Sequence, residues 1–362
     1  MASAPATERV AWSAALPEAD DGDLLATPDG SVVASTRRFL AVVRPPGTVD
    51  WLVETSAGLL GPPVLLADGR VSRYEDGAVV TRDGSRVTST PAGGPALAAL
   101  GDDLLCGAPG SPALRRIAPD GTVRWSVPLI APLSATPAIP GDVVVAADGP
   151  LLRGYDPDGT PRWIAGELGF APPDAPPVTV ADGMVRAAPL TLPDGSLVAQ
   201  VTERYGYGFV RFAPADRTVA PLRPPVAIHG PVAAVALPGG TPALAALGPA
   251  EEVERGSWRW MVVLVDTSGT VLWSYRLGAE PAALVAAGAG GVAVVCSPPL
   301  GRWEKYHGWY DLAGECFVRV LGPQGGSRWT WYPPIPVPYR PAAGADGTIF
   351  VAGPGRLWAL EA

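Results

Sequence analysis

The sequence predicts an all-β protein, an eight-bladed β-propeller with four strands in each blade. Three observations lead to this prediction. A glycine–tryptophan motif recurs along the chain, short turns open apolar runs at intervals of about 40 residues, and the two chain ends look like complementary parts of one blade. Several short strands repeated with such a period are typical of propellers.

The recurring motif reads Asp-Gly-Thr-Val-Arg-Trp at 120–125 and Asp-Gly-Thr-Pro-Arg-Trp at 158–163. Its Gly-x-x-x-Trp part returns at 47–51, 269–273 and 325–329. We interpret it as a turn followed by the outer strand of a blade. Two units depart from it, because Thr88 stands where the tryptophan is expected and Asp216-Arg-Thr-Val-Ala220 lacks both glycine and tryptophan.

A second turn precedes each outer strand by about 20 residues and opens an apolar run. These turns are Asp29-Gly30, Asp68-Gly69, Asp102, Gly141-Asp142, Asp182-Gly183, Gly239-Gly240, Gly290-Gly291 and Asp346-Gly347. Eight turns predict eight blades. The strand register of the units at about 62–90 and 177–224 is left open.

One unit shows the four expected strands most clearly. Ala135–Ile139 is predicted as the innermost strand, Asp142–Ala147 as the second, Leu151–Tyr155 as the third and Thr160–Ala165 as the outer strand. Gly- and Pro-rich turns separate these short apolar runs, as expected for strands.

The chain ends predict how the propeller closes. Residues from about 340 to 361 provide three strands, and residues 1–16 provide an outer strand that carries Trp12. Pairing these segments removes open sheet edges. We therefore expect one domain over 1–362, with its last blade completed by 1–16.

Composition limits the possible functions. The net charge of -8 argues against a general nucleic-acid partner. The N-terminus lacks the apolar core of a signal peptide, and no apolar run is long enough to span a bilayer, so we expect a cytoplasmic protein without membrane insertion. Lys305 is the only lysine, and this preference for arginine indicates the genomic bias of a GC-rich bacterium. We expect it to be a monomer or part of a larger assembly. Two histidines exclude a His-rich metal site.

The three cysteines form neither a disulfide framework nor a zinc set. Cys296 and Cys316 fall at the ends of neighbouring strands, where they could face each other. We expect two packed thiols rather than a disulfide, because a cytoplasmic setting disfavours oxidation. Cys106 lies on a predicted strand and is expected to be buried.

The Asp-Gly turns, the strands LLRGYD (151–156) and LWALE (357–361), and the Asp-Gly-x-x-x-Trp motif together resemble the PQQ-like repeat. The resemblance covers essentially the whole chain. That family contains quinoprotein dehydrogenases and non-enzymatic propellers such as outer-membrane assembly scaffold lipoproteins. It implies that a tryptophan docks between neighbouring blades, a role that falls here on Trp12, Trp51, Trp125, Trp163, Trp273 and Trp329.

The family's enzymes hold PQQ with a Ca²⁺-type ion and a catalytic Asp, many with adjacent cysteines. This sequence lacks vicinal cysteines, a secretion signal and the usual length of the dehydrogenases, and it lacks the N-terminal lipidated cysteine of the scaffold lipoproteins. The resemblance therefore favours the non-enzymatic branch with no cofactor.

Three long insertions are the candidate binding region. Residues 203–208, 248–258 and 298–315 fall between the second and third strands of consecutive units, so we expect their loops to share one face. Their aromatic and basic residues are typical binding anchors. The candidates are Tyr205, Tyr207, Trp258, Arg302, Trp303, Tyr306, His307, Trp309 and Tyr310.

The occupant of that face is left open between a protein and a glycan. Alternatively, the aromatic residues of 302–311 pack together as a satellite core. Enzymatic alternatives are a divergent PQQ-type dehydrogenase or a glycoside hydrolase that uses an acidic rim. The rim carboxylates are Glu251, Glu252, Glu254, Glu304, Asp311 and Glu315, which we interpret as a solvated loop edge. No nucleophile elbow accompanies His307 for triad chemistry.

Overall fold

The computed structural model describes most of the chain. The described residues are 9–19, 21–55, 61–84, 86–133, 135–149, 151–166, 169–172, 189–203, 206–222, 232–238, 240–254, 257–277, 283–297 and 316–361. Over these ranges the regular structure is all strand. They contain no helix that could cross a membrane.

The strands form eight four-stranded antiparallel sheets, the blades of an eight-bladed β-propeller. The strands are β1 (Val10–Ala15), β2 (Asp23–Ala26), β3 (Val32–Ser35), β4 (Phe39–Arg44), β5 (Thr48–Glu54), β6 (Val64–Leu65), β7 (Val71–Glu75), β8 (Ala78–Asp83), β9 (Arg86–Pro91), β10 (Leu97–Leu100), β11 (Asp103–Gly107), β12 (Ala113–Ile117), β13 (Val123–Pro128), β14 (Val144–Asp148), β15 (Leu151–Tyr155) and β16 (Pro161–Gly166). The remainder are β17 (Gly169–Ala171), β18 (Leu190–Thr191), β19 (Leu197–Glu203), β20 (Gly206–Ala213), β21 (Thr218–Leu222), β22 (Val232–Ala236), β23 (Pro242–Glu254), β24 (Ser257–Asp266), β25 (Val271–Leu277), β26 (Ala283–Ala287), β27 (Gly291–Cys296), β28 (Phe317–Leu321), β29 (Ser327–Trp331), β30 (Ala342–Ala343), β31 (Ile349–Gly353) and β32 (Arg356–Leu360). Blades 1 to 7 each take four consecutive strands, starting at β2.

The chain divides into two compact units. The first contains Met1–Ser56 and Pro224–Ala362, and it holds blades 1, 6, 7 and 8. The second contains Ala57–Arg223 and holds blades 2 to 5. The expectation of a single domain over 1–362 stays a prediction.

Within each unit, apolar side chains pack between consecutive blades. In the first unit one core joins blades 6 and 7, a second joins 7 and 8, and a third joins 8 and 1. In the second unit the cores join blades 2 and 3, 3 and 4, and 4 and 5. Middle strands such as β27 are buried at every residue, because neighbouring blades cover both faces. Outer strands such as β5 alternate between half-buried and exposed residues.

Closure of the last blade by the N-terminal strand is confirmed. β1 pairs antiparallel with β32, and the sheet order is β1-β32-β31-β30. Trp12 lies opposite Ala359, with a register shift between Val10 and Trp12. The chain ends thus share one sheet, as their complementary strand patterns predict.

The prediction of an inner strand at Ala135–Ile139 is wrong in extent. In the described part of this stretch, only Ala138 pairs, through an isolated bridge to Val145. Pro137 and Pro140 lie on either side of Ala138. Proline has no backbone N–H, so a ladder cannot continue through these positions. The four-stranded sheet of blade 4 is instead completed by β17, which pairs with β16. The prediction of Thr160–Ala165 as the outer strand is therefore wrong, because β17 forms the outer edge of this sheet.

The turn predicted at Asp182-Gly183 lies outside the described residues. The turn that opens the second strand of blade 5 is Asp194-Gly195, between β18 and β19. The Asp194 carboxylate accepts a hydrogen bond of 3.0 Å from the backbone N–H of Ser196. Both Asp-Gly pairs have the composition of a turn. The regular spacing of the units favours the first pair, whereas the second pair lies between β18 and β19. Later in this blade Arg217 has a φ of 52°, where the other motifs place a glycine.

Aspartates in these turns make stability depend on pH. The pKa values of Asp120, Asp158 and Asp346 are lowered, first of all by backbone N–H groups of the threonines two residues ahead. A lowered folded-state pKa gives stability that is present above the ordinary pKa of 3.8 and is lost as the pH falls through the folded value. We expect a variant in which all three aspartates are replaced by Asn to depend less on pH in this range. Its midpoint of chemical denaturation should fall less steeply below pH 3.8 than that of the wild-type protein. An unchanged acid limb would contradict this prediction.

Candidate functional site

The insertion at 248–258 is a projecting β-hairpin rather than the predicted loop. β23 and β24 pair continuously from Ala243↔Asp266 out to Glu254↔Ser257, with two register shifts on the way. Trp258 pairs with Glu252 in this ladder. Aromatic residues favour strands, so the insertion extends the sheet. The hairpin is rooted in the core, where Leu247 and Val262 are fully buried.

The insertion at 203–208 is also an extended hairpin and not a loop. β19 and β20 pair as far as Thr202↔Tyr207 and Glu203↔Gly206. Tyr205 lies outside the described residues, and Tyr207 is paired through its backbone. This hairpin belongs to the second unit, whereas the hairpin of blade 6 belongs to the first. That the insertions share one face stays a prediction.

The third insertion, 298–315, lies outside the described residues, and with it lie Arg302, Trp303, Tyr306, His307, Trp309 and Tyr310. The strands on either side of it are described. β27 ends at Cys296, and β28 begins at Phe317, which is the residue paired with Cys296. The segment therefore leaves and re-enters blade 7 between its second and third strands, at the same end as the hairpin of blade 6.

Next to these insertions, five residues of blades 6 and 7 form what we call the Arg319 cluster: Tyr275, Phe317, Arg319, Thr330 and Tyr332. The Arg319 guanidinium stacks over the Phe317 ring at 4.7 Å and lies 5.7 Å from the Tyr275 ring centroid. Its Nε donates to Thr330 Oγ1 at 2.8 Å, and its Nη1 donates to the Tyr275 hydroxyl at 3.1 Å. Tyr332 packs edge-on against Phe317 and is 45% exposed.

Arg319 differs from three other half-buried arginines in the partners of its guanidinium group. Arg116, Arg153 and Arg211 each form an ion pair with an aspartate, for example Arg116 with Asp103 at 2.7 Å. Within the part of the chain that the structure describes, Arg319 has hydroxyl and aromatic neighbours but no carboxylate partner. This cluster is not predicted from the sequence. Its only signal is an arginine in the apolar run Phe317–Leu321.

The predicted docking tryptophans show a repeated geometry. Trp125 Nε1 donates to the Pro157 carbonyl of the next blade at 2.9 Å, and Trp273 Nε1 donates to the Pro323 carbonyl at the same distance. In both cases the ring covers the glycine of the next motif, Gly159 or Gly325.

The other motif tryptophans make different contacts. Trp163 packs in the core between blades 4 and 5, Trp329 lies against Arg9 with 5.8 Å from ring to guanidinium, and Trp12 approaches Gly47 of blade 1. Trp51 is half-buried, and its docking role stays a prediction. Where blade 2 has Thr88, its hydroxyl donates to the Pro119 carbonyl at 3.1 Å. Threonine thus supplies the hydrogen bond of the tryptophan without its contact area.

Adding a methyl group under such a tryptophan is expected to destabilise the second unit. A Cβ on Gly159 would lie 2.9 Å from ring carbons of Trp125, and the φ of +90° is itself unfavourable for alanine. We expect Gly159→Ala to lower the free energy of unfolding by about 1–3 kcal/mol. Gly141→Ala is the control, because it has a φ of +63° but nothing within 4 Å of the added Cβ. If chemical denaturation shows equal losses of unfolding free energy for the two variants, backbone strain alone explains the effect and the contact with Trp125 does not contribute.

All three cysteines are buried and unpaired, so the expectation of packed thiols at Cys296 and Cys316 is confirmed. Burial raises the thiol pKa of Cys106 to about 11, of Cys296 to about 12 and of Cys316 to about 11. Because the thiolate is the nucleophile, we expect no reaction with a disulfide reagent at pH 8 in the native state and three equivalents after denaturation. A thiol that titrates rapidly in the native protein would contradict this prediction.

The donor set of the quinoprotein resemblance does not fit this chain. The three cysteines lie on or beside β11, β27 and β28, and none is adjacent to another. Within the described ranges, no three His, Cys, Asp or Glu side chains are grouped to hold a metal ion. We therefore derive no chemical step through PQQ.

Comparison with known proteins identifies the repeat. Residues 67–203 match the PQQ-like family model described as outer membrane protein assembly factor BamB. Residues 67–203 therefore carry the PQQ-like repeat. No curated protein matches the sequence.

Solved structures similar to this β-propeller include BamB from Moraxella catarrhalis, at 14% identity and a TM-score of 0.62, covering 98% of this chain and 97% of that one. KlHsv2 with loop 6CD replaced by a Gly-Ser linker matches at 9% identity and a TM-score of 0.54, covering 88% and 97%. BBS1N in complex with ARL6DN matches at 12% identity and a TM-score of 0.50, covering 97% of each chain. At these identities the likeness shows the fold.

Proposed function

We propose that this propeller is a non-catalytic binding or scaffold module that docks a protein partner at the insertion end of blades 6 and 7. The observation that carries the proposal is that two neighbouring blades are enlarged at the same end, one by the hairpin of β23 and β24 and one by residues 298–315. In blade 2 the same connection is short, because Glu75 pairs directly with Ala78.

The fold supports a protein partner over other ligands. A BamB-like propeller suggests a protein-interaction scaffold, and the BBS1N propeller is seen in complex with ARL6DN. A glycan partner is the alternative outcome of the test below. Binding residues are commonly carried by loops that a rigid scaffold positions, and the propeller provides such a scaffold.

The frame makes the hairpin of blade 6 suitable for docking. Its root residues Ala245, Leu247 and Leu264 are fully buried in the core shared with blade 7. A hairpin that continues an ordered ladder loses little conformational freedom when a partner binds, so more of the contact energy appears as affinity.

Site-specific photo-crosslinking tests the proposal. A photoreactive phenylalanine analogue would replace Trp258 or Trp303, with Ile130 on blade 3 as the exposed control position. We expect one partner protein to crosslink from 258 and 303 in the native host and not from 130. The purified partner should then bind the wild-type chain and lose binding when residues 300–312 are replaced by a short Gly-Ser turn.

The replaced chain must also keep its melting temperature. If it unfolds instead, the aromatic residues of 302–311 belong to a satellite core and the docking proposal fails. If the pure chain binds a glycan array and no protein is crosslinked, the partner is a glycan and not a protein. The cytoplasmic location and the monomeric state belong to the same proposal, and cell fractionation and sedimentation test them.

A further inference from the structure

We propose that the Arg319 cluster is a subsite for an acidic peptide segment of the docked partner, in which a carboxylate binds Arg319 and a neighbouring apolar side chain packs on Tyr332. This inference rests on the proposed function, because the cluster lies at the same end of blades 6 and 7 as the two insertions. It adds the chemistry that the partner must present.

The donor geometry of Arg319 favours a carboxylate. A guanidinium has five N–H groups, and two of them are used here, on Thr330 Oγ1 and on the Tyr275 hydroxyl. These contacts fix the plane of the group, and among the described residues they leave three N–H groups without a hydrogen bond, both of Nη2 and one of Nη1. A guanidinium with several N–H groups left in one plane can bind a carboxylate through two hydrogen bonds.

The aromatic rings prepare the guanidinium for binding. Phe317 is buried and holds one face of Arg319 at 4.7 Å, so the side chain is ordered before a ligand arrives. An arginine ordered in advance loses less rotamer entropy on binding. Neither ring carries a negative charge, and no carboxylate within the described ranges pairs with Arg319, so among these residues its charge is available to a carboxylate of the partner.

The exposed ring of Tyr332 supplies the apolar half of the subsite. It is among the most exposed large hydrophobic side chains of the described chain, and it contacts Phe317 edge-on at 6.4 Å. Tyrosine beside arginine is a frequent combination at binding hot spots. A ligand that satisfies both has an Asp or Glu next to a large aliphatic or aromatic residue.

The experiment pans a phage library of random dodecapeptides against the full chain and measures the affinity of the most enriched synthetic peptide. We expect enrichment of Asp or Glu beside an apolar residue. Arg319→Gln and Tyr332→Ala should each weaken binding by about 10-fold or more. Arg328→Gln is the matched control, since Arg328 is an exposed arginine on the outer strand of the same blade and should leave affinity unchanged.

A double-mutant cycle isolates the contact. Changing the peptide's acid to its amide should weaken binding to the wild-type chain but not to Arg319→Gln. Enrichment without acidic residues, or an affinity indifferent to Arg319→Gln, overturns the inference. Binding that appears only after replacement of 300–312 also overturns it, because this chain's own segment would then fill the subsite. If the Arg319→Gln variant still crosslinks from positions 258 and 303, the proposed function is supported and only the subsite proposal is contradicted.

Discussion

Deletion of residues 1–16 is expected to destabilise the first unit by more than about 5 kcal/mol, because it removes a whole strand together with partly and fully buried apolar side chains. The deletion removes β1, which supplies a full ladder to β32. It also removes the Trp12 ring that lies 5.8 Å from Phe350, and the buried Ala14 and Leu16. The remaining edge of β32 would be an unpaired strand prone to association.

The matched control for this deletion removes only residues 1–8 and keeps all of β1. We expect the short deletion to melt like the full chain and the long one to lose its cooperative transition or aggregate at a much lower temperature. A synthetic peptide of residues 9–19 added to the long deletion should restore part of the stability, because the missing ladder can re-form. Equal melting of the two deletions would show that blade 8 does not depend on β1.

The parts of the fold that follow from local repeats could be predicted from the sequence. The Asp-Gly-x-x-x-Trp motif locates β13 and β16, since a turn and the strand that follows it are encoded within six residues. The first strand of blade 4 could not be predicted in extent, because two prolines interrupt a run that otherwise has strand composition. In blade 5 two identical Asp-Gly signals competed, and only the tertiary packing of β18 and β19 decides between them.

The sequence predicts where the insertion of blade 6 falls, but not that it continues the ladder as a hairpin. An insertion between second and third strands is visible as extra residues, yet whether it loops or continues the ladder depends on cross-strand pairing such as Glu252↔Trp258. The Arg319 cluster was not predictable, because Tyr275 and Arg319 meet across two blades from positions far apart in sequence. Local pattern carries no information about such a contact.

Trp331→Ala is expected to cost about 3–5 kcal/mol of unfolding free energy, the usual range for truncating a buried tryptophan. Trp331 is the largest fully buried side chain in the described structure and packs edge-on against Trp358 at 5.6 Å, between blades 7 and 8. Neighbouring residues such as Val337 and Ile349 are held by the same core and cannot fill the space without moving strands. Chemical denaturation followed by tryptophan fluorescence and circular dichroism measures the loss.

The adjacent residue provides the control for this prediction. Tyr332 follows Trp331 directly but contacts Phe317 on the blade 6 side, and it is 45% exposed. We therefore expect Tyr332→Ala to change stability by less than about 1 kcal/mol, as exposed truncations usually do. Reversed magnitudes would mean that the two side chains have exchanged faces, and hence that the register of β28 against β29 differs by one residue. Such a shift would also remove Arg319 from Tyr275, so this pair of variants tests the frame on which the proposed subsite depends.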